Sequence, residues 1–226
     1  MSLAGTAAKI QWCNVDDSDK DRFYKWHNGE HMIERINVPG FKRGRRSKAI
    51  KGDREYLILY EVESFEVLVG PAYQHRLANP TELTQATEVV RDRVTAVSRV
   101  AASVGAGQGG FLWTLRFDAE PGRERELQRF IANDVLPDLV DMGQVVGGHL
   151  LIADREASEK RRPGRPHVPV PYWAVVVEGV NAEGLEQAAS RALGDDVLEK
   201  HGGKGPFVRG LYRPEFTVAP IHGWHL

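Results

Sequence analysis

Trp26-His-Asn-Gly-Glu-His-Met-Ile-Glu-Arg-Ile-Asn-Val-Pro-Gly-Phe41 and, 104 residues further on, Phe130-Ile-Ala-Asn-Asp-Val-Leu-Pro-Asp-Leu-Val-Asp-Met-Gly-Gln-Val145 follow one plan. Each is a helical segment that ends in a glycine-containing turn and opens a strand. The register between them holds without a gap: Glu30 falls opposite Asp134, His31 opposite Val135 and Arg45 opposite His149. A fixed offset of this length is the signature of an internal duplication, which has to be found before single elements are named.

Working outward from the first copy, Lys9 to Val15 alternates as a strand, and Asp16, Asp17 and Ser18 can cap a helix over Asp19 to Asn37. A basic strand (Lys42 to Ile50), a turn at Gly52-Asp53 and the β-rich run Glu55 to Val62 come next. A second helix follows from Phe65 to about Leu77, and Arg93 to Ala102 alternates as a fourth strand. The second copy repeats the order: strand Phe111 to Asp118, helix Gly122 to Met142 with Leu127, Phe130, Ile131 and Val135 on one face, strand Tyr172 to Gly179, helix Ala182 to Leu193, and strand Phe207 to Arg213. Past residue 149 the offset grows by an insertion, Asp154 to Pro169, so Tyr56 faces Trp173.

Each copy therefore reads βαββαβ, a ferredoxin-like unit whose sheet carries both helices on one face and leaves the other bare. Two tethered units can bury those bare faces against each other. The expected fold is α+β, with tandem ferredoxin-like repeats forming a pseudo-twofold α+β barrel within one chain. The expected division is 1–104 for the first repeat with the site, 105–110 for a glycine-rich linker, and 111–226 for a second, degenerate repeat. Gly105, Gly107 and Gly110 match the spacing of a dinucleotide loop, but strand-like Phe111 to Asp118 follows them where such a loop needs a helix.

The chain has 226 residues, 42% hydrophobic and 27% charged, as in an ordinary globular protein. Its 30 Lys and Arg nearly cancel 31 Asp and Glu, so no strong field draws in nucleic acid or an anionic membrane. The single Cys13 excludes an internal disulfide, and neither a signal-like start nor a run of about 18 apolar residues occurs, which points to a cytoplasmic protein.

The segment Trp26 to Phe41, with its Asn-x-Glu-His core (Asn28 to His31) and Pro-Gly-Phe ending before a strand of arginines, resembles the EthD-like proteins of the dimeric α+β barrel superfamily. Pro71-Ala-Tyr73 and Leu77-Ala-Asn-Pro-Thr81 are similar to that family's second helix and following loop. The resemblance covers nearly all of the first repeat, whereas the second has lost the motif. It implies an enzyme of small-molecule catabolism, with cofactor-free monooxygenases, cyclases, lactone isomerases and haem-dependent peroxidases among relatives by fold. Fold alone does not choose the reaction.

His31 is the candidate general acid/base, because an imidazole exchanges protons near neutral pH, and Glu30 is placed to orient it. Tyr60 is the candidate second proton-transfer group. Trp26, His27, Arg45, Trp12 and Tyr73 are candidate substrate contacts: His27 lies one turn from His31, an arginine can fork onto a carboxylate or enolate, and the aromatics can line a cavity between helix and sheet. Arg45 could equally pair Glu30, Glu34 or Glu61. Alternation puts Arg43 and Arg45 on one face of their strand and Lys42, Arg46 and Lys48 on the other. His27-x-x-Glu30-His31 also matches a zinc-binding pattern, so His27 and His31 are the ligands if there is a metal, although no third ligand is evident. No cofactor is called for.

The expected function is cofactor-independent lyase, isomerase or cyclase chemistry, or cofactor-free oxygenation, on a small carbonyl or aromatic compound. The alternatives are a non-catalytic ligand-binding or assembly protein and a metal- or haem-dependent enzyme. The substrate is a small molecule and the partners include no nucleic acid and no membrane. Any homodimer would form through outer surfaces, because the tethered repeats complete the barrel. Divergence of the copies predicts a polar helix-sheet cavity beside His31 and a packed Val135.

Overall fold

The computed structural model describes residues 3–159 and 168–220. The basic part of the insertion (Lys160, Arg161, Arg162) and the C-terminal Ile221 to Leu226 lie outside the described residues. The first repeat comprises β1 (Ala7–Val15), α1 (Lys20–Trp26), a π-helical turn (His27–His31), α2 (Met32–Ile36), β2 (Phe41–Lys51), β3 (Tyr56–Val62), α3 (Phe65–Val69), α4 (Pro71–Ala78), α5 (Glu82–Ala86) and β4 (Val90–Gly105). The second comprises β5 (Phe111–Ala119), α6 (Glu124–Phe130), a π-helical turn (Ile131–Val135), α7 (Leu136–Asp141), β6 (Val145–Ala153), α8 (Arg155–Glu159), β7 (Trp173–Gly179), α9 (Ala182–Ala192), α10 (Asp195–Lys200) and β8 (Gly203–Val218).

All strands are antiparallel in one closed eight-stranded barrel, in the order β1-β3-β2-β8-β5-β7-β6-β4. Each repeat contributes four neighbouring strands. The seams are β2 with β8 (Gly44 opposite Val218) and β4 with β6 (Ser98 opposite Ala153). Both seams join the second strand of one repeat to the fourth of the other, which is the pseudo-twofold symmetry a duplicated unit generates. Closure removes the sheet edges that a lone ferredoxin-like unit leaves unpaired.

The period of two sorts the side chains. Ala8, Ile10, Trp12, Leu57, Leu59, Leu112, Ala174, Val176 and Tyr212 fill the lumen, as side chains do in an eight-stranded barrel. The opposite faces carry the helices, over Cys13, Tyr56, Ile58, Tyr60 and Val62 in the first repeat and Trp113, Leu115, Trp173, Val175 and Val177 in the second. One glycine sets the helix height in each repeat. A Cβ at Gly44 would lie 2.9 Å from Met32 Cε, and one at the equivalent Gly148 would lie 2.9 Å from Leu136 Cδ2.

Several boundaries differ from the sequence expectation. The second helix breaks at Gly70, where Pro71 starts α4 because proline is pre-set for a first helical turn. β4 and β8 run 16 residues each, longer than their alternating cores, because seam pairing extends them. Two of the glycines between the repeats are required by the backbone: Gly105 has φ 86°, and a Cβ at Gly109 would meet Gly179 O at 2.3 Å. Among the described residues no helix is long and apolar enough to cross a membrane.

Candidate functional site

His27, His31 and Arg35 follow one another at four-residue steps on the inward face of α1, the π turn and α2. The π turn recurs in the second repeat over Ile131–Val135, so the wide turn is a shared inheritance and the side chains on it are what set the first repeat apart. Val135 is buried in an apolar core, as the divergence of the two copies requires.

His27 is buried, and Arg46 Nη1 donates to its Nδ1 at 3.0 Å. A guanidinium can only donate, so this contact places the ring proton on Nε2. Burial, reinforced by the charges of Arg46 and Arg35, holds His27 well below the usual histidine pKa. His31 stacks 5.6 Å from His27 and 4.4 Å from the Trp26 ring. The residue as a whole is half-buried, and its Nδ1 is buried without a hydrogen-bond partner. Burial depresses its pKa as well, with Arg35, His27, Lys9 and Arg93 acting in the same direction. Both imidazoles are therefore neutral at pH 7.

Opposite them on β3, Tyr60 is buried and its Oη has no partner, as is also true of Arg35 Nη1. Burial raises the Tyr60 phenol, and the Arg35 charge opposes that shift, so one guanidinium acts on both His31 and Tyr60. Tyr73 on α4 closes the group: its Oη accepts from Lys9 Nζ at 3.2 Å, and Arg35 stands 5.8 Å over its ring. Trp26 is buried, and its Nε1 donates to Thr84 Oγ1 at 2.9 Å.

Three sequence assignments are corrected. Arg45 faces the lumen, with Nε 2.9 Å from Glu61 Oε1 and Nη1 3.0 Å from both Glu178 oxygens, so its charge is compensated inside the barrel and it cannot reach a ligand beside His31. Trp12 also points into the lumen, where Nε1 contacts Thr114 Oγ1 at 3.4 Å and Arg116 covers the ring. Glu30 does not orient His31; its Oε1 accepts from Thr81 Oγ1 (2.5 Å) and Thr84 Oγ1 (3.3 Å), tying α5 to the π turn. Arg35, Lys9 and Arg46 were missed. The arginine of β2 that meets the helix is Arg46, held by Glu215 of the second repeat at 2.8 Å.

The surface grooves lie elsewhere. One of about 520 Å³ runs between Ile36 to Lys42 and Ala219-Pro220, and one of about 260 Å³ lies between Phe130, Asp134 and His201. Neither is lined by His31, and what marks the helix-sheet interface of the first repeat is its buried polar atoms without hydrogen-bond partners. The residues do not suit a divalent cation: Arg46 occupies His27 Nδ1, threonines occupy Glu30, and the surrounding charge is positive. Of the described histidines outside this site, His149 is fully buried in the lumen and His201 is stacked 3.7 Å from Phe130.

No family model matches the chain, and no curated protein matches it in sequence. Solved structures do resemble it. An anthrone oxidase-like protein is 12% identical with a TM-score of 0.61, over 97% of this chain and 95% of its own. A proposed monooxygenase of Fusobacterium nucleatum subsp. nucleatum is 11% identical with a TM-score of 0.61, over 96% of each chain. A haem-binding protein of Thermus thermophilus is 11% identical with a TM-score of 0.52, over 92% of this chain and 91% of its own. At these identities the likeness is one of fold, and the chain shares the α+β barrel fold of these proteins over most of its length.

Proposed function

We propose that the first repeat binds a small enolisable carbonyl or phenolic compound between the π turn and β3, and that neutral His31 removes a proton from it through Nδ1. The carrying observation is the pair of buried, unpartnered atoms His31 Nδ1 and Tyr60 Oη, at positions where the second repeat has Val135 and Val177. A buried polar atom without a partner is costly unless water or a ligand satisfies it. Positive charge around an imidazole weakens it as a base but stabilises the enolate that forms, and the second effect is what such a proton transfer needs. Tyr60 and Arg35 are the groups that would meet the developing oxyanion. Reprotonation of the anion at another atom gives an isomerase, expulsion of a β leaving group from it gives a lyase, and its attack on a carbonyl of the same molecule followed by protonation of the resulting alkoxide gives a cyclase.

The Trp26 to Phe41 segment supports an EthD-like assignment within the fold, and the anthrone oxidase-like neighbour suits a phenolic substrate. Glu30 and Trp26 hold Thr84 of α5 against the π turn, on one side of the proposed site. The test is deuterium exchange at the acidic carbons of a panel of β-dicarbonyls and hydroxyarenes in D2O. Wild-type protein should accelerate exchange of at least one compound, and His31→Gln and His31→Ala should each lose about 10²–10⁴-fold. Equal rates in all three proteins would show that His31 is not the base and would overturn the reading.

A further inference from the structure

The second repeat shows what this fold packs between helix and sheet when nothing polar is needed there. His27, His31 and Arg35 are replaced by Ile131, Val135 and Leu139; on the sheet, Lys9, Tyr60 and Arg93 are replaced by Trp113, Val177 and Phe207. All six replacements belong to one apolar core. The polar set is thus an alternative to a packing that the same backbone accommodates, and its sign is positive.

Among these cations, Arg35 has no carboxylate in hydrogen-bond contact. Arg46 is neutralised by Glu215, and Glu34, next to Arg35 in sequence, is drawn to Arg76 at 3.0 Å. Arg35 is 6% exposed, its Nη1 has no hydrogen-bond partner, and among the described residues no carboxylate lies within 4 Å of it. Glu34 feels the Arg35 charge and the Tyr73 ring lies 5.8 Å from it, but neither hydrogen-bonds the buried guanidinium, and a ligand that brings an anion into contact relieves its desolvation. A carboxylate suits it, because one planar fork faces one planar anion.

We propose that Arg35 anchors an organic monoanion, a small carboxylic acid whose carboxylate takes the Arg35 guanidinium while its apolar body lies along Trp26, Met32 and Tyr60. This deepens the proposed function by naming the substrate class. The binding claim stands apart from the proton transfer, since it asks nothing of His31 chemically.

The test uses the whole chain, with benzoate as probe, benzamide as its neutral isostere and inorganic phosphate as a control anion, followed by calorimetry and thermal unfolding. Benzoate should bind wild type at least tenfold more tightly than benzamide or phosphate. Arg35→Leu, which installs the second repeat's residue, should fold with an unliganded Tm at or above wild type and lose benzoate binding at least tenfold. Arg35→Lys keeps charge without the fork and should fall between them, which covers a Leu variant that fails to fold. Benzoate binding by wild type without accelerated deuterium exchange of any compound keeps a failed proton-transfer reading distinguishable from a failed anion site. Equal binding of benzoate and benzamide, phosphate binding as tight as benzoate, no benzoate binding at all, or undiminished binding by Arg35→Leu would each overturn the proposal.

Discussion

Glu61 and Glu178, 117 residues apart and equivalent in the two repeats, share one guanidinium: Arg45 Nε lies 2.9 Å from Glu61 Oε1 and Arg45 Nη2 lies 3.0 Å from Glu178 Oε1. The residue equivalent to Arg45 is His149, whose Nε2 lies 3.7 Å from Glu178 and whose Nδ1 meets Ser103 Oγ at 2.9 Å. Burial alone would raise the Glu178 carboxyl, but His149 and Arg45 together hold it below the usual carboxylate value. The pseudo-twofold axis thus runs through a polar cluster inside the lumen, with Arg43 bonded to Glu61 at its rim.

Removing Arg45 leaves Glu61 with Arg43 and Glu178 with His149, two buried carboxylates deprived of the charge they share. Arg45→Met should destabilise the chain by about 3–5 kcal/mol. Urea unfolding measures this, and a loss below about 1 kcal/mol would mean that the lumen admits enough water to solvate the acids.

The depressed histidines set a pH dependence whose sign follows from linkage. Unfolded, His27 and His31 bind protons below about pH 6.5; folded, both hold out to lower pH, so the unfolded state takes up protons first and stability falls as pH drops below 6.5. Replacing both by their second-repeat counterparts, His27→Ile with His31→Val, should flatten the stability profile between pH 6.5 and 5. Parallel profiles for wild type and variant would contradict the assignment.

Cys13 is buried on the helix side of β1, and burial pushes its thiol up to about 11. At pH 8 the thiolate is then on the order of one part in a thousand. A disulfide reagent should label it only on unfolding, at the global unfolding rate; rapid labelling of native protein would place it against solvent.

Glu215 ties the second repeat to the first repeat's site, because it accepts from Arg46 Nε and, at 2.9 Å, from Tyr24 Oη, while Arg46 in turn holds His27 and Asn28. Glu215→Gln should cost about 1.5–3 kcal/mol, the range for hydrogen bonds to charged groups. It should also shift the His27 ring resonances. An unchanged His27 spectrum would show that Arg46 keeps its place without Glu215.

The fold was legible because two kinds of periodicity, the alternation of strands and the fixed offset between copies, survive divergence at single positions. Arg43 and Arg45 were correctly separated from Arg46 by alternation, yet which set met the helices depended on barrel closure, a non-local fact. Arg45 was misassigned for that reason, since its partner Glu178 comes from the other repeat. Arg35 was missed although the signal was present: it continues the four-residue step of His27 and His31, and its counterpart is Leu139. Glu30 sits beside His31 in sequence, but helical geometry points neighbouring residues in different directions, and its partners Thr81 and Thr84 come from a loop that motif reading does not place.

The most direct measurement is a side-chain ¹⁵N NMR titration of the histidines in the unliganded protein from pH 8 to 4.5. The account predicts that His27 and His31 remain neutral well below pH 6.5, with His27 in its Nε2–H form, and that benzoate raises the His31 titration midpoint by placing a negative charge beside it. Titration of His31 at or above pH 6.5 in the unliganded protein would contradict a buried, cation-lined base and remove the ground for assigning proton transfer to the first repeat.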